Sequence, residues 1–300
     1  MPKQKRKSET FSVHRAADWP ALTELVSMAE QTLSPDSGEG LWFRGTTDQS
    51  FKLAPTLMRE TNGIPRTKHD EIEQDLFFEF QAKSHELRSR NLTDWEYLFH
   101  GRHHGVPTRL IDWTETMGVA VYFALEAIQD AVFAGAKRPK TEPAIWMLNP
   151  YALNEKTWAV RDIVLPRYLG LTDDEEDYLD FGELLVATGK WAWNGPVAVY
   201  PVQLGDRVRA QRGWFTIHGN SRDPLEAQFP ELLCKIVLEE KCIEDGLRFL
   251  EWAGFNKFSI YPDYDNLAIW LKQKNLKHLK SQARSAALPA DKKPKPLGRT

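Results

Sequence analysis

The chain has 300 residues, of which 42% are hydrophobic and 27% charged, and a net charge of −3; this is the range of soluble globular proteins and excludes collagen-like, low-complexity and wholly disordered classes. A chain of this length buries roughly three quarters of its unfolded surface and needs neither disulfides nor a structural metal. Cys234 and Cys242 have no CxxC spacing, so neither a redox motif nor a zinc finger is expected, and a cytoplasmic setting is.

The first ten residues, MPKQKRKSET, hold four basic residues against one Glu, and residues 277–300 hold seven against one Asp. Taking these away from the chain's 39 basic and 42 acidic residues leaves a body of 28 against 40. Segments 1–12 and 277–300 are expected to be disordered basic tails around one domain, 13–276. Such tails attract phosphate backbones but lack the aromatic interleaving of single-strand binders. The longest apolar stretch, 119–136, is broken by Glu126, Gln129 and Asp130, so no membrane span is expected.

After the first tail, Asp18 can cap a helix carrying Leu22, Leu25, Val26 and Ala29 at helical spacing. LWFRG reads as a short strand with Leu41 and Phe43 on one face and Trp42 and Arg44 on the other. A helix is expected over 70–90, with Ile72, Leu76, Phe77 and Phe80 on one stripe. Thr93 and Glu96 form a capping box for the next helix, which His104-Gly105-Val106-Pro107 ends. TRLIDWT is strand-like, and a helix follows near 117–130 with Ala120, Ala124 and Ala127 for close packing. AIWML, VAVYPV, GWFTIHG and CKIVLEE read as strands, a helix is expected before Gly189, another over 244–252, and a last amphipathic one over 265–276. Segment 173–177 forms an acidic patch. The expected class is α+β: a single mixed domain with a central, largely antiparallel sheet flanked by helices.

The chemistry concentrates in HGRHHGVPTRLIDWT, residues 100–114, with three histidines, two arginines, two threonines and one aspartate. Its structural account has His104 and Thr108 satisfying backbone groups around the turn while Arg109 pairs with Asp112. A metal account would use His100, His103, His104 and Asp112, but the spacing lacks the HExxH pattern, and no metal is expected. Arg44, ending an apolar strand before Gly45, can aim its planar fork at an anion; its structural account is a salt bridge. Gln211 and Gly213 precede Trp214-Phe215 in a third segment. GxxxxGK[ST], GxGxxG and GxSxG motifs are absent, which argues against P-loop nucleotide hydrolysis, Rossmann dehydrogenases and α/β-hydrolases.

Four ordered blocks resemble the FRG domain: Trp42-Phe43-Arg44-Gly45 with Lys52-Leu53-Ala54-Pro55 and Arg59; residues 103–114 with 119–124 behind them; Arg207, Ala210-Gln211, Gly213 and Phe215-Thr216; and Ile260-Tyr261-Pro262-Asp263-Tyr264-Asp265 with Leu267-Ala268. The resemblance spans about 25–275 and implies an α+β domain of bacteria and phages, with Arg44, His104, Thr108, Arg109, Asp112 and Gln211 as catalytic candidates. A weaker resemblance to ADP-ribosyltransferases rests on the order Arg44, then Thr114 with Tyr122-Phe123-Ala124, then Gln211. It implies NAD as co-substrate, with Trp42, Arg44, Gly45, Trp113, Thr114 and Tyr122 in its site, and a nucleic-acid or protein acceptor. The third motif departs from that pattern by lacking its glutamate; Asp112, Glu115, Glu183 and Glu231 are the open candidates for a catalytic acid. The function expected is an ADP-ribosyltransferase-like enzyme acting as a toxin or in antiphage defence. The alternatives are a metal-dependent enzyme acting on nucleic acid and a noncatalytic sensor of a nucleotide or phage component.

Overall fold

A computed structural model describes residues 11–287 except 36–37, 61–62, 88–90, 171–178, 188–190, 192 and 202–204. The acidic patch at 173–177 and most of both basic tails therefore lie outside the described residues. In chain order the elements are β1 (Ser12–Ala16), α1 (Trp19–Leu33), β2 (Trp42–Thr46), α2 (Thr56–Glu60), α3 (Arg66–Lys83), α4 (Asp94–His103), β3 (Leu110–Thr114), α5 (Met117–Ala134), β4 (Ala144–Leu148), α6 (Pro150–Trp158) and α7 (Phe181–Ala187). There follow β5 (Val197–Val199), α8 (Asp206–Gln211), β6 (Gly213–Ile217), α9 (Leu225–Gln228), β7 (Leu233–Leu238), α10 (Glu240–Trp252), α11 (Lys257–Ile260) and α12 (Tyr264–Ala287).

Local signals account for many of these boundaries. Asp18 caps α1 by accepting from the Ala21 N–H, and Thr93 with Glu96 closes the capping box of α4. Gly105 takes φ +89°, a left-handed conformation suited to glycine, just past the end of α4. Four expectations shift. The helix expected over 70–90 starts earlier, behind Pro65, and ends at Lys83. The helix from Met117 runs on to Ala134, where Gly135 caps it in the left-handed region. Strand β1 begins at Ser12 and α12 reaches Ala287, so regular structure extends past both expected tail boundaries. Phe11, placed in the tail by composition, packs on Trp146 at 5.0 Å.

The seven strands form one sheet in the order β1-β7-β4-β2-β3-β6-β5. β1 and β7 run parallel and the other neighbours antiparallel, which makes this the mixed, largely antiparallel α+β sheet that the strand patterns imply. The ladder is uneven. β2 matches β4 over five residue pairs and β3 matches β6 over five, but β2 and β3 meet at the single pair Phe43 and Thr114. A seam therefore opens between the halves of the sheet.

On one face a Trp-rich core spans both halves, with Trp42, Ile111, Trp113, Trp146 and Leu148. On the other face the core is divided. Tyr122, Leu125 and Ile128 of α5 cover Ile145, Met147 and Ile236, while Trp95, Leu98 and Phe99 of α4 cover Leu110, Phe215 and Ile217. The seam lies between these two cores. α5 is apolar and long enough in composition to cross a membrane; in this fold its apolar residues pack on the sheet. Gly45 permits that contact, because a Cβ there would stand 1.9 Å from the Ala120 carbonyl oxygen.

Candidate functional site

The seam is where charge gathers. Arg44 leaves β2 and donates from NH1 to the backbone oxygen of Asp112 on β3 at 2.5 Å, with the Asp112 carboxylate at 3.6 Å. Its guanidinium thus crosses a stretch where no ladder pair joins the strands. From the end of α4, Arg102 makes a fork on the same carboxylate, with Nε at 3.0 and 3.2 Å from the two oxygens and NH2 bonding one of them. Arg102 NH1 also donates to Thr56 Oγ1 at 2.7 Å, and Arg59 NH2 donates to that oxygen at 3.1 Å. Arg44 of β2 and Arg102 of α4 thus meet on one aspartate, and Arg59 of α2 joins Arg102 through Thr56.

The cluster is open to solvent, since the side chains of Arg44 and Asp112 keep 23% and 42% of their surface accessible. Burial pulls the Arg44 guanidinium down to about 10 against the attraction of Asp112, and Arg102 and Arg59 add repulsion. Burial pushes the Asp112 carboxyl up, but the charge and hydrogen bonds of Arg102 and the charge of Arg44 outweigh it and hold it at about 2. The aspartate is a fixed anion at neutral pH.

Beside this cluster, His100, His103 and His104 group with ring centroids 4.6 to 6.5 Å apart, the first two parallel and His104 edge-on to both. Burial, then Arg207 and the neighbouring histidines, lowers His103 to about 4. Burial likewise lowers His100 and His104, with a positive neighbour adding to each. Neutral imidazoles at the seam can accept or relay a proton. Among the described residues no three His, Cys, Asp or Glu side chains form a group that could hold a metal ion.

Arg207 ties this region to the chain's last blocks. It donates to the His103 carbonyl at 3.1 Å and lies 4.3 Å over the Tyr261 ring. The Tyr261 and Tyr122 hydroxyls approach the Glu126 carboxylate at 3.5 and 3.4 Å, and Lys257 bonds it at 3.0 Å.

The other residues singled out by sequence take separate places. Arg109 does not pair with Asp112. The two are three residues apart along an extended segment and cannot share a face; Arg109 bonds Glu73 of α3 instead, at 2.7 Å through Nε and again through NH2. Thr108 is buried and its hydroxyl accepts from the Leu110 N–H at 3.4 Å. Trp113 is buried and donates to Thr216 Oγ1. The Thr114 hydroxyl donates to the Gln211 carbonyl and accepts from the Thr116 N–H, and the Gln211 amide donates to the Ile260 carbonyl. Trp42 is buried and stacks on Trp214 at 5.1 Å. Tyr122 is buried in the α5 core, and His104 stands exposed at the end of α4.

The candidate acids divide as well. Glu115 bonds Trp214 and Arg212, Glu183 caps the start of α7 through the Asp180 N–H, and Glu231 pairs with Lys156. Asp112 is the one of the four that stands at the seam. The roles of Arg102, Glu73 and Glu126 did not emerge from the sequence. Glu73 had a readable signal: it lies four and seven residues before Phe77 and Phe80, on the buried stripe of its helix, where a carboxylate requires a partner.

Residues 39–132 match the FRG domain. That span holds the whole seam cluster, from Arg44 through Arg59 and Arg102 to Asp112, whereas Arg207, Gln211 and Tyr261 lie outside it. No curated protein and no solved structure matches the chain.

Proposed function

We propose that this FRG-domain protein is an ADP-ribosyltransferase-like enzyme that binds NAD at the seam between β2 and β3 and modifies nucleic acid or protein in bacterial or phage conflict. The observation that carries this reading is Arg44 extending from its strand across the seam onto Asp112. Cleavage of the nicotinamide bond passes through an oxocarbenium-like state, so catalysis needs a clamp for the diphosphate and an anion near the developing positive charge. Arg44 and Asp112 have those characters, and neutral His103 can take the acceptor's proton. The side chains of Thr114, Tyr122 and Gln211 serve by shaping the walls of the site, because their polar atoms already have protein partners.

The test is incubation of wild type and Arg44→Ala with NAD, DNA, RNA and cell extract, followed by mass spectrometry for nicotinamide and ADP-ribose adducts. Adducts that form with wild type and vanish with Arg44→Ala are the expected result. Absence of NAD consumption with every acceptor overturns the reading and leaves binding without chemistry, the sensor alternative, which the third motif's missing glutamate favours.

A further inference from the structure

We infer that α12 and the aromatic residues at its base form a docking surface for single-stranded nucleic acid. The inference deepens the proposal above by naming the acceptor, and rests on that reading only for what is done to the strand once it is bound.

The first ground is charge. Residues 266–290 hold no Asp or Glu and five Lys or Arg, at 272, 274, 277, 280 and 284, and α12 carries all five. At about 100° per residue these positions spread over more than half of the helix circumference. Lys277 and Lys280 stand at i and i+3, and Lys280 and Arg284 at i and i+4; such like-charge pairs oppose the helix, and an anion laid along it relieves them. Lys272 and Lys274 are exposed, and Lys274 lies 5.0 Å from the centre of the Trp270 ring. A basic run of this length without an acidic residue matches a phosphate backbone.

The second ground is aromatic surface. Tyr264 opens α12 with 90% of its surface exposed, and Trp252 ends α10 with 81% exposed. Trp270 stacks on Phe258. Such rings offer unpaired bases a face to stack on. Segment 277–300 by itself has no aromatic residue, but α12 runs unbroken from Tyr264 to Ala287. The basic stretch and the aromatic base therefore belong to one rod of about 36 Å, whose packing partner among the described residues is chiefly α11.

The pattern of the helix selects among occupants. Ile269 and Leu276 are exposed and share one stripe, with Lys272 between them three residues after the first. A second copy's helix or a bilayer laid on that stripe would bury the ammonium, whereas a phosphate takes it as a partner. Stacking requires bases that are not already paired, which favours a single strand over a duplex.

Fluorescence anisotropy on the full chain tests this, with labelled single-stranded DNA and RNA, a duplex of the same sequence, and anionic phospholipid vesicles as probes. The variants are Tyr264→Ala and the double change Lys272→Ala with Lys274→Ala; all three side chains are exposed, and a matching circular dichroism spectrum confirms the fold. The expected result is single-strand binding tighter than duplex binding and weakened about fivefold or more by Tyr264→Ala. In the double variant the slope of log affinity against log salt becomes shallower by about 1.4, the share of two phosphate contacts. Absence of strand binding by folded wild type, whether sedimentation shows a monomer or a dimer, overturns the inference. So do affinities that neither variant changes, duplex binding as tight as single-strand binding, and tighter binding to vesicles than to either oligonucleotide. Strand binding lost in these variants, in a protein that never consumes NAD, keeps this inference and removes the transferase reading. ADP-ribose adducts on protein alone, without strand binding, do the reverse.

Discussion

Two arginines flank the same short strand and meet opposite fates. Arg109, just before β3, has a side chain only 4% accessible and pairs with Glu73, itself 5% accessible. Its NH1 donates to the His218 and Gly219 carbonyls at 2.8 and 3.2 Å, and its plane lies 3.7 Å from the Trp191 ring centre. Every nitrogen has an acceptor, so this arginine joins α3 to the ends of β3 and β6 and has nothing left to offer a ligand. Arg44, on the neighbouring strand β2, is more exposed, and among the described residues only its NH1 is engaged in a hydrogen bond. Saturation marks a structural arginine; surplus marks one available for binding.

The sharpest way to break this contrast is to remove each partner in turn. Glu73→Ala strands Arg109 as a buried, unpaired cation and is expected to cost about 3–5 kcal/mol of stability, read from urea unfolding. A loss below the level of a surface substitution would show that the pair is not a structural one. Gly45→Ala tests the frame that holds Arg44 in place. The new methyl would collide with backbone of α5, and a loss of about 1–3 kcal/mol is expected; a variant as stable as wild type would mean α5 can withdraw from β2 freely.

Acid separates the two regions by pH window. His218 is fully buried beside Arg109, and burial followed by that positive charge lowers it from 6.5 to about 3. The folded state thus keeps it neutral while the unfolded chain takes up a proton, so stability is intact above 6.5 and declines as pH falls toward 3. The decline reaches up to about 1.4 kcal/mol per pH unit. Its signature is that His218→Gln flattens the stability profile between pH 6 and 4, in units of roughly 1 kcal/mol per pH unit. Among the described residues the ring nitrogens of His218 have no hydrogen-bond partner, which agrees with a neutral ring.

Asp112 works in a lower window. Its folded value, about 2 against the ordinary 3.8, means that its pairing stabilises the protein above 3.8 and that the benefit fades as pH falls through 2. Because the carboxylate is 42% accessible, solvent screening reduces the benefit to about 1 kcal/mol. The difference between wild type and Asp112→Asn in urea unfolding is expected at pH 6 and much smaller at pH 2; a constant difference would deny the charge pairing. Smallest of all is Arg59→Ala, expected within about 0.5 kcal/mol of wild type in stability, since its exposed side chain bonds only Thr56 among the described residues. A large loss of stability there would make Arg59 another structural arginine and erase the contrast.

Much of the fold was legible because its signals are local. The caps at Asp18 and Thr93 and the alternation that puts Trp42 and Arg44 opposite Leu41 and Phe43 can be read within a few residues. Strand β1 was not legible: SVHRA carries two polar, ionisable residues among five, and only pairing beside β7, more than two hundred residues away, makes it a strand. Arg44 and Asp112 could be singled out as a charged residue beside a glycine and a polar residue in an apolar run. Which charges meet could not be read, as Arg109 shows by choosing Glu73 over the nearer Asp112.

By itself the sequence determined the longer helices and most strands, the caps at Asp18 and Thr93, the two-sided character of the strands and the FRG-type blocks within 39–132, because each depends on backbone geometry and periodicity over one or two turns of chain. Only the tertiary structure decided that β2 and β3 part after one pair, that Arg44 and Arg102 meet on Asp112 from a strand and a helix, and that Arg59 shares Thr56 with Arg102. Those outcomes depend on how separate elements pack, and electrostatic balance is a property of the space between them rather than of any segment.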